Sequence, residues 1–277
     1  MGGVDLAALL PAVLLAALDG LAKVLPLSAG AHFAALELLL GWSEPGPAIA
    51  FWTGTGSLLA ILGYCWRDVL AMGSGLLRRF RRKRNPGASL LLLLILASLP
   101  LGAAGLAWTM GGFSTQWAEP SINFLGLTTI AGAILLLLGD RYGMTIRRLD
   151  HLGPGGALFI GVIQALSLLP GMGRACMAIA AARAMDFERP EAVRISALLA
   201  IPALIATLVL NGRVLLHGGG LTPDPAAVGL AVIALLATLL GLALLMRWLR
   251  RHGFLPLVLY RLALGALLLA QGQGLIG

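Results

Sequence analysis

Two short stretches of this chain gather reactive side chains in otherwise apolar surroundings. Residues 19–32 read Asp-Gly-Leu-Ala-Lys-Val-Leu-Pro-Leu-Ser-Ala-Gly-Ala-His, and residues 164–176 read Gln-Ala-Leu-Ser-Leu-Leu-Pro-Gly-Met-Gly-Arg-Ala-Cys. On a helix, Asp19 and Lys23 share a face and can neutralise one another. Ser28 and His32 have the same spacing, so a hydroxyl and an imidazole lie close enough to serve as phosphoryl acceptor or base. Arg174 sits among small residues, where Gly171 and Gly173 let backbone N–H groups approach an anion while the guanidinium forks onto phosphate oxygens. Gln164 is a neutral polar group able to hold water or orient that anion. Blander roles stay open beside these: a structural ion pair for Asp19 and Lys23, an Arg174 that snorkels to an interface, and a hydrogen-bonded packing role for His32.

What positions these residues follows from composition. The chain has 277 residues, of which 59% are hydrophobic and 12% charged, with a mean hydropathy of +0.93, whereas a soluble domain carries about 25% charged residues. A hydrocarbon layer about 30 Å thick is crossed by roughly 20 apolar residues. Apolar segments at 46–66, 88–109, 122–139, 192–211, 226–246 and 254–270 qualify, each bounded by charge, Gly or Pro. The expected architecture is an all-α polytopic membrane protein with about six transmembrane helices.

The net charge of +8 is concentrated in basic clusters at the ends of these segments. By the positive-inside rule the loops at 78–84, 140–151 and 247–251 belong in the cytoplasm, and only Arg213 departs from the trend. A basic groove interleaved with aromatics, as single-strand binders need, is missing from the sequence, so no nucleic-acid partner is expected; bilayer lipids are. Cys65 and Cys176 are far apart and show neither a disulfide framework nor metal-ligand spacing. The N-terminus lacks the basic region of a signal peptide and reads as retained structure.

Regions 6–41 and 154–185 are apolar but broken by Pro and Gly and carry the ionisable residues above. Each reads as a re-entrant helical hairpin, because non-helical backbone at membrane depth survives only where protein or water surrounds it. Leu25-Pro26 corresponds to Leu169-Pro170, and each broken hairpin precedes three ordinary spans. One membrane domain over 1–277 is expected, with an inverted-topology repeat of about 6–139 and about 154–277 joined by a cytoplasmic linker at about 140–153. Such broken helices meet near the midplane and form a site there.

In order and spacing these stretches resemble the two signature regions of the undecaprenyl pyrophosphate phosphatase family, the bacitracin-resistance type. Its first region runs roughly Glu-Gly-x-Thr-Glu-x-x-Pro-x-Ser-Ser-Thr-Gly-His and its second Pro-Gly-x-Ser-Arg-Ser-Gly. The similarity extends through Gly56-Ser57, Gln164, Leu199-Ala200-Ile201-Pro202, Phe254-Leu255-Pro256 and Tyr260-Arg261. It implies a multi-pass enzyme of the bacterial plasma membrane that removes the terminal phosphate of undecaprenyl diphosphate, a carrier lipid recycled for peptidoglycan and cell-wall biogenesis, with Mg2+ or Ca2+ as cofactor.

Carried over by position, Asp19 stands for the first glutamate and is the one candidate metal ligand. Lys23 replaces the second glutamate and reverses its charge. Ser28, His32 and Arg174 match, whereas Ala29, Gly30, Ala31, Gly173, Ala175, Cys176 and Gly54 depart from the pattern. The resemblance therefore implies a catalytic set of Asp19, Ser28, His32 and Arg174, and a phosphate-binding set of Lys23, Gln164, Gly173 and Arg174. Because several donors are replaced, a second expectation stands beside hydrolysis: a degenerate member that binds polyprenyl phosphate or moves it between leaflets. The oligomeric state is open, a homodimer included.

Overall fold

A computed structural model describes residues 6–42, 46–79, 85–111, 120–218 and 224–275. The helices are α1 (Leu6–Ala22), α2 (Ala29–Leu40), α3 (Pro47–Tyr64), α4 (Trp66–Arg79), α5 (Pro86–Met110), α6 (Ile122–Tyr142), α7 (Pro154–Ala165), α8 (Arg174–Ala184), α9 (Arg189–His217), α10 (Pro225–Trp248) and α11 (Leu255–Gly272). Helix starts follow local chemistry. Proline opens α3, α5, α7 and α10, where its missing N–H costs nothing. Ser28, Asn85, Ser121 and Asp224 cap α2, α5, α6 and α10 through side-chain oxygens.

The chain is an all-α polytopic membrane protein. Helices α5, α6, α9, α10 and α11 are long and apolar enough to cross a bilayer, and α3 together with α4 makes a sixth, bent candidate. These coincide with the six segments expected from sequence, and α4 is the addition. It turns 81° away from α3 because Arg67 and Asp68 end the apolar run. Asp68 then pairs with Arg194 of α9 at 2.6 Å, and Gly87 of α5 lets the backbone of α4 approach at Ala71. Of the basic loop expected at 78–84, residues 80–84 lie outside the described residues.

Regions 6–41 and 154–185 are helix pairs interrupted at the expected places. The first break spans Lys23–Ser28, between α1 and α2. The second includes a 3-10 turn at Leu166–Leu168 and ends at Gly173, the residue before α8. Helix α1 packs on α10 and α7 packs on α5. In each case a glycine meets an alanine carbonyl: Gly20 on Ala234, Gly161 on Ala97. Small residues at such seams let helix backbones approach where lipid supplies no hydrophobic drive. Helix α3 packs on α9, and α6 on α11.

Alanine-rich α8 lies at the centre, with every residue from Ala175 to Arg183 buried. The segment after α6 is anchored to its C-terminal end. Buried Arg183 donates to Asp140 Oδ1 at 2.9 Å, to the Gly143 carbonyl at 2.7 Å and to the Phe187 carbonyl, while Arg189 shares Asp140 at 2.7 Å.

Candidate phosphate site

Both helix breaks expose backbone carbonyls that lack intrahelical partners, and two arginines satisfy many of them. Arg261 of α11 is fully buried. It donates to Pro26 O of the first break at 3.1 Å and to Gly171 O and Met172 O of the second at 2.9 and 3.0 Å, with a further contact to Thr129 O at 3.3 Å. Thr128 closes the second break by donating to Pro170 O. Arg174, the first residue of α8, donates to Lys23 O at 2.7 Å and Ser196 O at 3.1 Å. The two breaks are thereby fastened tip to tip.

Their closeness depends on Gly173. Its φ is +76°, a region natural to glycine, and any Cβ there would run into Leu27 O of the first break. Gly173→Ala is expected to lower stability by about 1–3 kcal/mol through strain and displacement of the first break. A thermal melt in detergent reads it, and an unchanged Tm would show that the breaks do not touch at Leu27.

Between the breaks lies a cavity of about 270 Å³, bordered by Lys23, Ser28, Ser167, Gly173, Arg174 and Thr207, with apolar Leu27, Leu169 and Leu204. Lys23 Nζ reaches Asp19 Oδ1 at 2.8 Å, and Thr53 donates to Asp19 Oδ2 at 2.7 Å. The carboxylate thus holds the ammonium in place from behind. An ammonium has three protons and a guanidinium five, so both cations keep donors free after these contacts. Ser28 Oγ accepts from the Ala31 N–H at 3.4 Å, and its hydroxyl proton remains to give.

The candidate residues divide accordingly. Lys23, Ser28, Gly173 and Arg174 meet at the cavity, with Asp19 directly behind Lys23. His32 is not among the lining residues. Its Nδ1 lies 2.6 Å from the Ser28 carbonyl and its Nε2 2.8 Å from the Tyr260 hydroxyl. A carbonyl only accepts, so Nδ1 carries a proton, and in the neutral ring Nε2 accepts from Tyr260. His32 therefore braces the start of α2 and does not contact Ser28 Oγ in this arrangement. Gln164 is buried on α7, its two polar atoms without hydrogen-bond partners, and it too is outside the cavity lining. The pairing of Thr53 with Asp19, that of Tyr260 with His32 and the bracing role of Arg261 escape the sequence reading, because each joins residues far apart along the chain.

A metal ion does not suit these residues. Both Asp19 oxygens are engaged, and among the described residues no group of three or more His, Cys, Asp or Glu could hold one. A larger groove of about 1040 Å³ runs along α10 and α11 under Arg247, Arg250 and Arg251. It contains none of the candidate residues of the two breaks, whereas the smaller cavity is lined by Lys23, Ser28, Gly173 and Arg174 together.

Fold and site together define a multi-pass membrane protein with a cavity between two helix breaks that is lined by Lys23 and Arg174. The family described as Bacitracin resistance protein BacA matches residues 12–267, and the chain belongs to that family. It is 43% identical to Undecaprenyl-diphosphatase 1 of Rhodospirillum rubrum over 95% of this chain and 94% of that protein. With Undecaprenyl-diphosphatase of Ruegeria pomeroyi the identity is 37%, over 93% of this chain and 96% of the relative. With the protein of the same name from Thermomicrobium roseum it is 35%, over 93% and 96%.

Proposed function

We propose that the chain is a polyprenyl diphosphate phosphatase that cleaves the terminal phosphate from undecaprenyl diphosphate and so returns the carrier lipid to cell-wall synthesis. The observation that carries this reading is the convergence of Lys23 and Arg174, from different breaks, on one cavity beside the Ser28 hydroxyl. Water bonds to the terminal phosphorus, the anhydride P–O bond breaks, and orthophosphate leaves polyprenyl monophosphate behind. Such transfer depends chiefly on positioning and on neutralising the charge spread over the transferring oxygens. Arg174 and Lys23 supply that charge, Ser28 donates to a phosphate oxygen, Asp19 orients Lys23, and His32 with Tyr260 holds the turn that presents Ser28.

The lipid tail lies along the apolar flank of the cavity. We place the protein in the bacterial plasma membrane with the basic ends near residues 140–151 and 247–251 inside. Arg174 meets α9 at Ser196, whereas Thr207 stands about 27 Å from Arg189 and about 15 Å from His217 at 1.5 Å per helical residue. The cavity then rises from mid-membrane toward the outer face. Packing supports an inverted repeat: exchanging α1 with α7, α2 with α8, α5 with α10 and α6 with α11 maps the α1–α10 contact onto α7–α5, and α2–α11 onto α8–α6.

The test is orthophosphate release from C55 diphosphate by purified protein in detergent, with C55 monophosphate as the inert control. Turnover of the diphosphate alone is expected. Tight binding without release would favour the translocating reading, and neither binding nor release would reject both.

A further inference from the structure

We propose that Lys23 is a built-in counter-cation that occupies the role of a divalent metal at this site, so that hydrolysis proceeds without Mg2+ or Ca2+. This rests on the phosphatase reading above and specifies how that reaction meets the negative charge of its substrate.

Three observations carry it. First, the only carboxylate beside the cavity among the described residues is already committed. Asp19 accepts from Lys23 through Oδ1 at 2.8 Å and from Thr53 through Oδ2 at 2.7 Å. Ca2+ takes six to eight oxygen ligands, and Mg2+ sites rest on one or two free carboxylates with phosphate and water. A metal would have to displace the ammonium from Asp19 and remain beside its positive charge.

Second, the ammonium is fixed. The i,i+4 spacing and the buried carboxylate hold Nζ at one point, while about a quarter of the Lys23 side chain stays accessible where the residue borders the cavity. Preorganised charge of this kind acts on developing charge without reorganisation at the moment of reaction.

Third, the second cation is registered to the first. Arg174 donates to the main-chain carbonyl of Lys23 itself at 2.7 Å, so the ammonium and guanidinium keep a set separation across the cavity. Two fixed cations on one polar pocket can grip neighbouring oxygens of a diphosphate, the geometric task a bridging metal performs elsewhere.

The experiment compares orthophosphate release from C55 diphosphate by protein treated with EDTA, then supplied with Mg2+ or Ca2+, alongside thermal melts of the same samples without lipid. Rates within twofold in all three conditions, and a Tm that neither ion nor EDTA moves, are expected. Loss of activity in EDTA that either ion restores would overturn the proposal while leaving the phosphatase reading intact. Absence of release in every condition would instead sink the phosphatase reading and this inference with it. Lys23→Met is expected to lose about 10²-fold in kcat with no recovery on adding metal. Lys23→Glu is expected to show an ion-dependent rise in Tm that Asp19→Asn abolishes in the double variant. An ion-dependent Tm rise in the unaltered protein, removed by Asp19→Asn, would place a metal where we place Lys23 and overturn the proposal.

Discussion

Replacing Arg174 by alanine is expected to lower kcat/KM for polyprenyl diphosphate hydrolysis by about 10²–10³-fold, the loss that follows when one preorganised donor is removed from a developing oxyanion. The guanidinium joins the second break to Lys23 O and to Ser196 O of α9, keeps donors beyond these two contacts, and belongs to a residue that lines the cavity. Alanine removes both services. Arg174→Lys separates them, since lysine restores a point charge but not the planar fork that reaches two carbonyls and a phosphate together. Arg174→Lys should recover part of the lost affinity for diphosphate and little of kcat. Steady-state kinetics, with a thermal melt to show that each variant is folded, reads the result. Hydrolysis within threefold of normal in folded Arg174→Ala would place the phosphate elsewhere.

Arg261→Met is expected to have the largest effect on stability, about 3–5 kcal/mol from the buried carbonyls it orphans, or a fall in Tm of about 10 °C. Methionine fills much of the space but donates nothing. The carbonyls of Pro26, Gly171 and Met172, each within 3.1 Å of the guanidinium, would then be buried without that donor, and such orphaned groups cost about 1–3 kcal/mol each before relaxation. Because the carbonyls belong to both breaks, the cavity between them should open as well, so kcat should fall in molecules that remain folded. Arg261→Lys supplies one ammonium where the carbonyls are spread around a fork, and should rescue only part of the loss. A Tm within 2 °C of normal for Arg261→Met would mean that other contacts hold the breaks together.

The chain's resemblance and its spans were legible early because both are local. Roughly twenty-residue apolar runs, their basic ends and the proline in each break are properties of neighbouring residues, and so are the Asp19–Lys23 spacing and the glycines around Arg174. Helix α4 was missed for the opposite reason. Its turn at Cys65 is stabilised by Asp68 pairing with Arg194, 126 residues away, and by the close approach of Gly87 to Ala71.

Among the candidate residues, sequence alone ranked His32 with Ser28 and Arg174. The fold instead turned the ring toward Tyr260, 228 positions along. Spacing of four puts two residues on one side of a helix, but Ser28 is the cap of α2, and its hydroxyl turns to the Ala31 N–H of the first turn. Gln164 shows the same limit, since burial on α7 follows from neighbours that no local pattern names.

By itself the sequence determined that this protein lives in a bilayer, that two breaks interrupt its helices, and which charged groups ride on them. Only the tertiary structure decided that the breaks meet at Gly173 and Leu27, that Arg261 fastens them, and that Lys23 and Arg174 face a shared cavity while His32 does not. Hydrophobicity and helix propensity are summed over adjacent residues. A site is made by directions, and those are set when distant carbonyls must find donors in a medium that offers none.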